Sequence, residues 1–281
     1  MTVIQSFLLG LVQGLTEFIP VSSTAHLLIG QTLLGIPADN AMFSFLVIIQ
    51  LGTIVSLVIY FWKDLVTIVR ATLSSIKPLL ERKKTKRKKK ELDFDARLGW
   101  YIIIATIPAL VAGYLLQNAV EDLFKRPLLE AGIRLIITGV ILALAEGLKK
   151  HHRPFKRMTW LDALIIGIAQ VIAVFPGASR SGTTISAGML RKLSRHSAAR
   201  FAFLMAIPVM LAAGGYQMLA VIKMPDVGSF LPMLAIGFVT AAVVGWLAVK
   251  WLMNFLNKRS FYFFAWNCAI LGLVVIFIHF V

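Results

Sequence analysis

Two short polar stretches interrupt an otherwise apolar chain, and each carries residue types that can do chemistry. The first has an amide and a carboxylate at Gln13 and Glu17, followed by a proline and three hydroxyl residues. The second repeats the Gly-x-x-Gln spacing 157 positions later and continues through a proline to Ser179, Arg180 and Ser181. Duplicated and interrupted apolar segments of this kind indicate a binding site near the midplane of a membrane protein.

Gln13 and Glu17 are four positions apart, so on a helix they share a face with Gly10 and Gly14. Glycines at this spacing allow another helix backbone to approach closely. Glu17 could act only as a hydrogen-bonding residue at such a helix interface. However, a carboxylate at membrane depth is costly unless it lines a polar cavity, and the amide one turn away favours a functional role.

The second stretch has the features of a phosphate-binding helix start. Pro176-Gly177 is expected to break one half-helix, and Ser181 is a good N-cap for the next. Backbone N–H groups, hydroxyls and the positive helix end then converge with a guanidinium, Arg180, that can bind phosphate in a bidentate manner. The alternative is a capped helix in which Arg180 pairs with Glu17, and that pairing could hold in the substrate-free protein.

The first stretch offers a matching helix start at Ser22, Ser23 and Thr24. His26 follows Ser23 by three positions and is expected on the same helix face. A lone histidine near a helix start is usually a satisfied polar residue. Here a hydroxyl nucleophile, a base one turn away and a nearby carboxylate coincide, which favours catalysis.

The elements that must position these residues are predicted to be membrane helices. Hydrophobic residues make up 58% of the 281 positions, charged residues 15%, and the mean hydropathy is +0.82. This composition indicates an all-α, polytopic integral membrane protein. Segments 3–35 and 160–193 each hold two half-length apolar stretches around a polar break, which predicts re-entrant helical hairpins. Full crossings are predicted at six apolar windows: 43–62, 98–117, 128–148, 199–222, 229–253 and 261–280.

Basic residues predict the orientation of the chain. The loops 63–97, 149–157, 191–200 and 250–259 are basic, whereas the turns 36–42, 118–127 and 223–228 are not strongly so. The positive-inside rule places the basic group in the cytoplasm, both termini outside, and the two hairpins on opposite faces. The net charge is +16, and eight of the 29 basic residues lie in the run Arg82–Lys90. No aromatic residue interleaves that run, which argues against nucleic-acid binding and favours anionic lipid headgroups.

A second pair of similar segments extends the repeat beyond the hairpins. Residues 43–49 resemble residues 201–207 at an offset of 158, close to the offset of the polar stretches. The chain is therefore predicted to be a single membrane domain, 1–281, built from repeat one, 1–148, and repeat two, 160–281. Each repeat has a hairpin and three spans, and three is odd, so the second repeat should be inverted relative to the first.

The paired motifs resemble a known family, the undecaprenyl-pyrophosphate phosphatases of the bacitracin-resistance type. That family carries (Glu/Gln)-x-x-x-Glu and then Pro-Val-Ser-Ser-x-x-His, which here correspond to Gln13 to Glu17 and to Pro20 to His26. Its second motif, Pro-Gly-x-Ser-Arg-Ser-x-x-Thr, corresponds to Pro176 to Thr184. The likeness extends over essentially the whole chain. Many members have Glu at the position of Gln13, so the resemblance implies that Glu17 would be the main anionic ligand of the metal site here.

The resemblance implies hydrolysis of a polyprenyl diphosphate to polyprenyl phosphate and inorganic phosphate, aided by a divalent cation, Mg²⁺ or Ca²⁺. The reaction would recycle the lipid carrier of peptidoglycan synthesis at the outer face of the bacterial plasma membrane. The partners expected are this lipid substrate and the bilayer, without nucleic acid, and the prediction allows for a homodimer.

The mechanism expected is an in-line displacement at the terminal phosphorus. Glu17, with Gln13, would hold the cation. Ser23 or His26 would supply the nucleophile, or His26 would activate water. The phosphate oxygens would be bound by a set of hydroxyls and one guanidinium: Ser22, Ser179, Arg180, Ser181 and Thr184.

Two other classes of protein remain to be distinguished from this one. A flippase or transporter of lipid phosphates commonly has inverted repeats with broken helices. A phosphatidic-acid type phosphatase needs widely separated Arg and His motifs, and this chain has too few suitably placed histidines.

Overall fold

The computed structural model describes residues 1–80, 92–116, 127–148, 152–175, 178–223 and 227–280. These residues form α-helices, one short 3-10 helix at Phe155–Arg157 and connecting turns, so the all-α prediction is confirmed. The basic run 82–90, most of the turn 118–127 and the Pro176-Gly177 break lie outside the described residues. The helices, in chain order, are α1 (Val3–Thr16), α2 (Ser23–Leu33), α3 (Asn40–Tyr60), α4 (Trp62–Leu80), α5 (Phe94–Leu115), α6 (Pro127–Gly147), α7 (Trp160–Ile172), α8 (Arg180–Leu190), α9 (Arg195–Ile222), α10 (Val227–Phe255) and α11 (Tyr262–Phe280).

Five of these helices, α3, α5, α9, α10 and α11, are long and apolar enough to cross a membrane. The chain is therefore a multi-pass membrane protein. The sixth predicted crossing, 128–148, corresponds to α6, which has 21 residues and carries Glu130, Arg134 and Glu146. It is not among the five, so a total of six crossings stays a prediction.

Both predicted hairpins form as pairs of short helices. Helix α1 begins with a capping box at Thr2 and ends at Thr16, ahead of Pro20, after which Ser22 caps α2. Helix α7 begins with a capping box between Thr159 and Asp162. At 14 and 13 residues, α1 and α7 are shorter than the roughly 20 residues needed to span a bilayer. Their re-entry into the membrane from opposite faces stays a prediction.

The start of α8 differs from the sequence-based expectation. Ser181 was predicted to be the N-cap, but the cap is Ser179, whose Oγ accepts a hydrogen bond from the Gly182 backbone N–H at 3.0 Å. Ser179 has extended backbone angles, φ −73° and ψ 111°, and the helix proper starts at Arg180. The helix can start this early because an N-cap needs only a side-chain oxygen three positions before its donor, a geometry that Ser179 meets.

The first helix of each hairpin packs against a long helix from the other half of the chain. Helix α1 contacts α10 at its glycines, where a Cβ on Gly10 would lie 2.5 Å from the Gly237 carbonyl oxygen. Helix α7 contacts α5, where a Cβ on Gly167 would lie 2.5 Å from the Ala105 carbonyl oxygen. The close backbone approach predicted at Gly10 and Gly14 is confirmed, and these contacts fix where the two hairpin tips lie.

The base of the second hairpin is held by one buried carboxylate. Asp162, with a fully buried side chain, accepts hydrogen bonds from Arg191 Nε at 2.8 Å and from Thr159 Oγ1 at 2.8 Å, and pairs with Arg153 at 2.6 Å. Arg153 and Thr159 precede α7, whereas Arg191 follows α8. The carboxylate therefore joins both ends of the hairpin, and a buried charge with this many partners is strongly held in place.

Part of the segment predicted as a basic loop, 63–97, is helical. Helix α4 lies along α5, where Thr72 packs against Gly99 and Trp100 Nε1 donates to Ser75 Oγ at 3.1 Å. Its polar and apolar residues alternate with helical periodicity, which is typical of a helix with one face packed on the protein.

Candidate active site

The tips of the two hairpins meet inside the molecule. Arg180, the first residue of α8, forms an ion pair through Nη2 with the carboxylate Oε1 of Glu17, which follows α1. The Glu17 side chain is 4% exposed and the Arg180 side chain 18%. Ser181 Oγ also lies 3.3 Å from the Ile19 carbonyl oxygen of the first tip. The two polar stretches, distant in sequence, thus form one cluster, as the sequence predicted.

The second oxygen of Glu17 is shared by two side chains of its own hairpin. Glu17 Oε2 accepts hydrogen bonds from Ser23 Oγ at 2.7 Å and from Gln13 Nε2 at 2.7 Å. Three donors therefore satisfy this buried carboxylate. The remaining amide oxygen, Gln13 Oε1, is buried and has no hydrogen-bond partner among the described residues.

The position of Ser23 depends on an uncommon backbone conformation at Ser22. Ser22 has φ 65° and ψ 90°, in the left-handed region that residues other than glycine rarely adopt. Its Oγ accepts from the Ala25 backbone N–H at 3.3 Å and caps α2. The sharp turn places Ser23 at the first helical position, facing Glu17. Strained backbone of this kind is concentrated at functional sites.

The second tip presents hydroxyls beside the guanidinium. Ser179 Oγ and Ser181 Oγ lie 3.3 Å apart, and the Ser179 backbone N–H donates to Thr138 Oγ1 of α6 at 3.3 Å. The positive end of α8 adds to the charge of Arg180 at this point. Together these groups can bind a phosphate dianion.

Two of the predicted site residues lie outside this arrangement. Thr184 is buried within α8, where its Oγ1 donates to the Arg180 carbonyl oxygen at 2.7 Å. His26 Nδ1 lies 2.9 Å from the Ser22 carbonyl oxygen, and no hydrogen bond among the described residues joins it to Ser23. Neither residue lines the cavity described below. The hydroxyl of Ser23 has Glu17 as its partner instead.

A cavity of about 490 Å³ opens beside the cluster. One part is lined by the site residues Glu17, Ser22, Ser23, Ser179, Arg180 and Ser181. The rest is largely apolar and is formed by α3, α5 and α9, with Leu110, Tyr114 and Met210 among its walls. One continuous cavity can therefore hold a polar group at one end and an apolar chain at the other.

The sequence analysis did not select three amides that line this cavity, Gln50 of α3, Gln170 of α7 and Gln217 of α9. Gln50 is a polar residue in the middle of an apolar span, which is itself an indication of function. Gln170 belongs to the duplicated Gly-x-x-Gln pattern, so its equivalence to Gln13 was the available signal.

The residues suited to a divalent cation are few. Across the described part of the chain, no three His, Cys, Asp or Glu side chains are close enough to hold a metal ion together. Glu17 and Gln13, whose Oε1 has no hydrogen-bond partner among the described residues, could offer oxygen ligands to such an ion. Such a pair matches the way proteins hold Mg²⁺, with one or two side-chain ligands and the remainder from substrate phosphates.

Comparison with known proteins gives a consistent result. The family model described as bacitracin resistance protein BacA matches residues 6–274. A protein of Pseudarthrobacter chlorophenolicus named undecaprenyl-diphosphatase is 40% identical over 271 residues, covering 95% of this chain and 94% of that protein. Proteins of the same name from Anaeromyxobacter dehalogenans and Methanobrevibacter smithii are 41% identical over 277 residues and 37% over 281. These alignments cover 96% and 98% of this chain and 89% and 97% of the respective relatives.

Proposed function

The chain belongs to the family of the bacitracin resistance protein BacA, and on that premise we propose that it is an undecaprenyl-diphosphatase with its active site at the junction of the two hairpin tips. It hydrolyses a polyprenyl diphosphate to the monophosphate and inorganic phosphate. The observation that carries the assignment of the site is the contact of Glu17 with both Ser23 and Arg180 at the polar end of the cavity.

Binding of the diphosphate follows from the charges at this junction. In the absence of substrate, the carboxylate of Glu17 neutralises Arg180. A terminal phosphate carries more negative charge than a carboxylate and can also bind the guanidinium in a bidentate manner, so it replaces Glu17 as the partner of Arg180. Ser179, Ser181 and the N-terminus of α8 bind the remaining oxygens and stabilise the charge that develops during transfer.

Ser23 is the nucleophile of the proposed reaction, because its hydroxyl already donates to a carboxylate base. Ser23 Oγ attacks the terminal phosphorus as its proton passes to Glu17 Oε2. The bond between this phosphorus and the bridging oxygen breaks, and its electron pair leaves with the lipid monophosphate. Water then attacks the phosphoserine, Glu17 returns the proton to Ser23, inorganic phosphate is released and one proton of the water goes to solvent.

His26 and Thr184 have supporting roles in this proposal. His26 Nδ1 contacts the Ser22 carbonyl oxygen and so helps to hold the strained turn that directs Ser23 at Glu17. Thr184 Oγ1 contacts the Arg180 carbonyl oxygen and stabilises the first turn of α8. Both residues therefore support the geometry of the site and do not touch the reacting atoms. If His26 activated water instead, no phosphorylated Ser23 would be trapped during turnover.

Glu17 and Gln13 Oε1 are the residues that would hold a divalent cation, Mg²⁺ or Ca²⁺, together with oxygens of the substrate. When bound, such an ion neutralises charge on the diphosphate and favours departure of the lipid phosphate. The buried oxygen of Gln13 without a partner supports this proposal, since a buried polar atom left unsatisfied is costly.

The proposed setting is the bacterial plasma membrane, with the active site reached from the outer face. The charge distribution supports this orientation. The packing of α1 on α10 and of α7 on α5 supports the inverted repeat, because each hairpin contacts the corresponding helix of the opposite half. The lack of a nucleic-acid partner and the homodimer stay predictions.

Purified protein tests the function directly. In detergent, without a membrane gradient, the wild-type protein should release inorganic phosphate from a long-chain polyprenyl diphosphate. Removal of divalent cations with a chelator should abolish this release, and added Mg²⁺ or Ca²⁺ should restore it. A folded sample that binds the lipid but releases no phosphate with either ion would contradict the hydrolase assignment and favour the flippase alternative.

A further inference from the structure

Gln170 is a buried amide whose polar atoms are both unsatisfied. Its side chain lies in the last turn of α7, the residue is 2% exposed, and neither Oε1 nor Nε2 has a hydrogen-bond partner among the described residues. It lines the same cavity as Glu17 and Arg180. Leaving such a group unpaired costs free energy in the folded protein, so a partner that arrives from outside would recover that free energy.

The repeat explains why this amide has no partner among the described residues. Gln13, its counterpart in the first hairpin, donates to Glu17 four residues later at 2.7 Å. The residue four positions after Gln170 is Val174, whose side chain offers no acceptor. Both Val174 and Gln170 line the cavity. The second hairpin thus keeps the amide of the first but not its carboxylate, and Gln170, although it lines the cavity, has no acceptor one turn ahead.

The helix packing places Gln170 at the border between the polar and apolar parts of the cavity. Gly167 of α7 lies against the backbone of Ala105 of α5. One turn further along each helix, Gln170 and Ala109 both line the cavity, followed on α5 by the apolar residue Leu110. Arg180, Gln170 and the α5 residues line one cavity, so a lipid bound with its terminal phosphate at Arg180 and its chain along α5 shares that space with this amide.

We propose that Gln170 is a substrate-binding residue whose Nε2 donates a hydrogen bond to the lipid-proximal phosphate of the diphosphate, the phosphate that stays on the isoprenoid. This inference rests on the proposed function. A neutral amide suits this position, because the lipid-proximal phosphate must be held during the reaction and released afterwards as part of the lipid product. The terminal phosphate is left to Arg180 and the hydroxyls of the second tip.

The test compares Gln170→Leu with a matched control, Gln31→Leu. Gln31 is another buried glutamine, 4% exposed, but its Nε2 donates to the Ile36 carbonyl oxygen at 3.3 Å and it does not line the cavity. Gln170→Leu should raise KM for polyprenyl diphosphate and the Kd for polyprenyl monophosphate by about tenfold each, the effect of one hydrogen bond to a charged group. Inhibition by inorganic phosphate should not change.

The thermal unfolding temperature of the substrate-free protein separates binding from structure. Gln170→Leu should leave it unchanged or raise it, since no internal hydrogen bond is lost, whereas Gln31→Leu should lower it without changing KM. A Gln170→Leu protein with lower unfolding temperature and unchanged lipid affinity would assign the amide a structural role and overturn the proposal. Weaker inhibition by inorganic phosphate, with unchanged affinity for the lipid monophosphate, would also overturn it.

Failure of this inference is distinguishable from failure of the proposed function. Hydrolysis by the wild-type protein tests the function, and the comparison between wild type and Gln170→Leu tests the inference. If the wild type released no phosphate, the Kd of the lipid monophosphate would still decide whether Gln170 binds it.

Discussion

Arg180 and Glu17 are 163 positions apart in the chain, and their side chains form a buried ion pair that joins the two hairpins. The pair has two functions in the proposed cycle. It allows an arginine and a glutamate to be buried together in the substrate-free protein, and it keeps the guanidinium where the phosphate will bind. Removing one partner alone leaves the other as an unpaired buried charge, which is strongly destabilising.

Arg180→Lys should fold and lose most of its activity. Lysine keeps the positive charge beside Glu17 but cannot bind phosphate in a bidentate manner, so kcat should fall by about 10²–10³-fold. Phosphate release and the unfolding temperature of the same sample give the measurement. Arg200→Ala, which removes an ion pair with Asp64 at 2.8 Å, is the control and should retain activity, because neither residue lines the cavity. An active Arg180→Lys enzyme would contradict the phosphate-binding role.

Ser23 should carry the phosphoryl group during turnover. Substrate labelled in its terminal phosphate, quenched with denaturant at neutral pH after a short reaction, should leave label on a peptide containing Ser23. The label should be absent in Ser23→Ala and should persist in Ser186→Ala, which removes another buried serine hydroxyl. Label on His26, or substantial activity in Ser23→Ala, would show that the nucleophile is His26 or water.

The amide at position 13 should set the dependence on divalent cation. Gln13→Ala removes the proposed ligand oxygen and should raise the Mg²⁺ concentration for half-maximal activity by about tenfold. Gln13→Glu adds a carboxylate and should lower that concentration, because two adjacent carboxylates attract a cation strongly. Titration of activity with Mg²⁺ after treatment with chelator measures both. An unchanged Mg²⁺ dependence in both variants would remove Gln13 from the cation site.

Gly14→Ala should destabilise the fold through the contact between α1 and α10. The added Cβ would lie 2.7 Å from Val244 Cβ and 2.9 Å from the Gly245 backbone nitrogen, so the helices must separate. The free energy of unfolding in detergent should fall by about 1–3 kcal/mol. Gly215→Ala is the matched control, since nothing lies within 4 Å of its added Cβ, and it should be neutral or slightly stabilising. Equal stability of the two variants would show that α1 can shift without cost.

Features that depend on local spacing could be predicted from the sequence. The shared face of Gln13 and Glu17, the interruption near Pro20 and the close approach at Gly10 all follow from helix periodicity and residue size. The cluster at the hairpin tips could also be predicted, because polar stretches at membrane depth are costly unless they line a polar cavity, and the two stretches can share one. The pairing of Arg180 with Glu17 was one of two alternatives, and the structure shows it.

Features that depend on side-chain direction or tertiary packing could not be predicted. The left-handed turn at Ser22 directs Ser23 to Glu17. The same turn places the Ser22 carbonyl oxygen within hydrogen-bond distance of His26 Nδ1. The cap of α8 falls at Ser179 because extended backbone there meets the Gly182 donor. The turn, the His26 contact and the position of the cap do not follow from the spacing of residues along the chain. That Gln170 has no hydrogen-bond partner among the described residues likewise depends on the positions of its neighbours in the fold.

Each hairpin packs on a helix from the other half of the chain, and this affects the order in which the contacts can form during synthesis. Helix α1 emerges from the ribosome long before α10, the helix whose glycine surface it needs, and α5 is made before α7. Neither half contains the long helix on which its own hairpin packs. We therefore expect fragments 1–148 and 152–281, expressed separately, to be degraded in the cell, and the same two fragments, co-expressed, to assemble into an active enzyme.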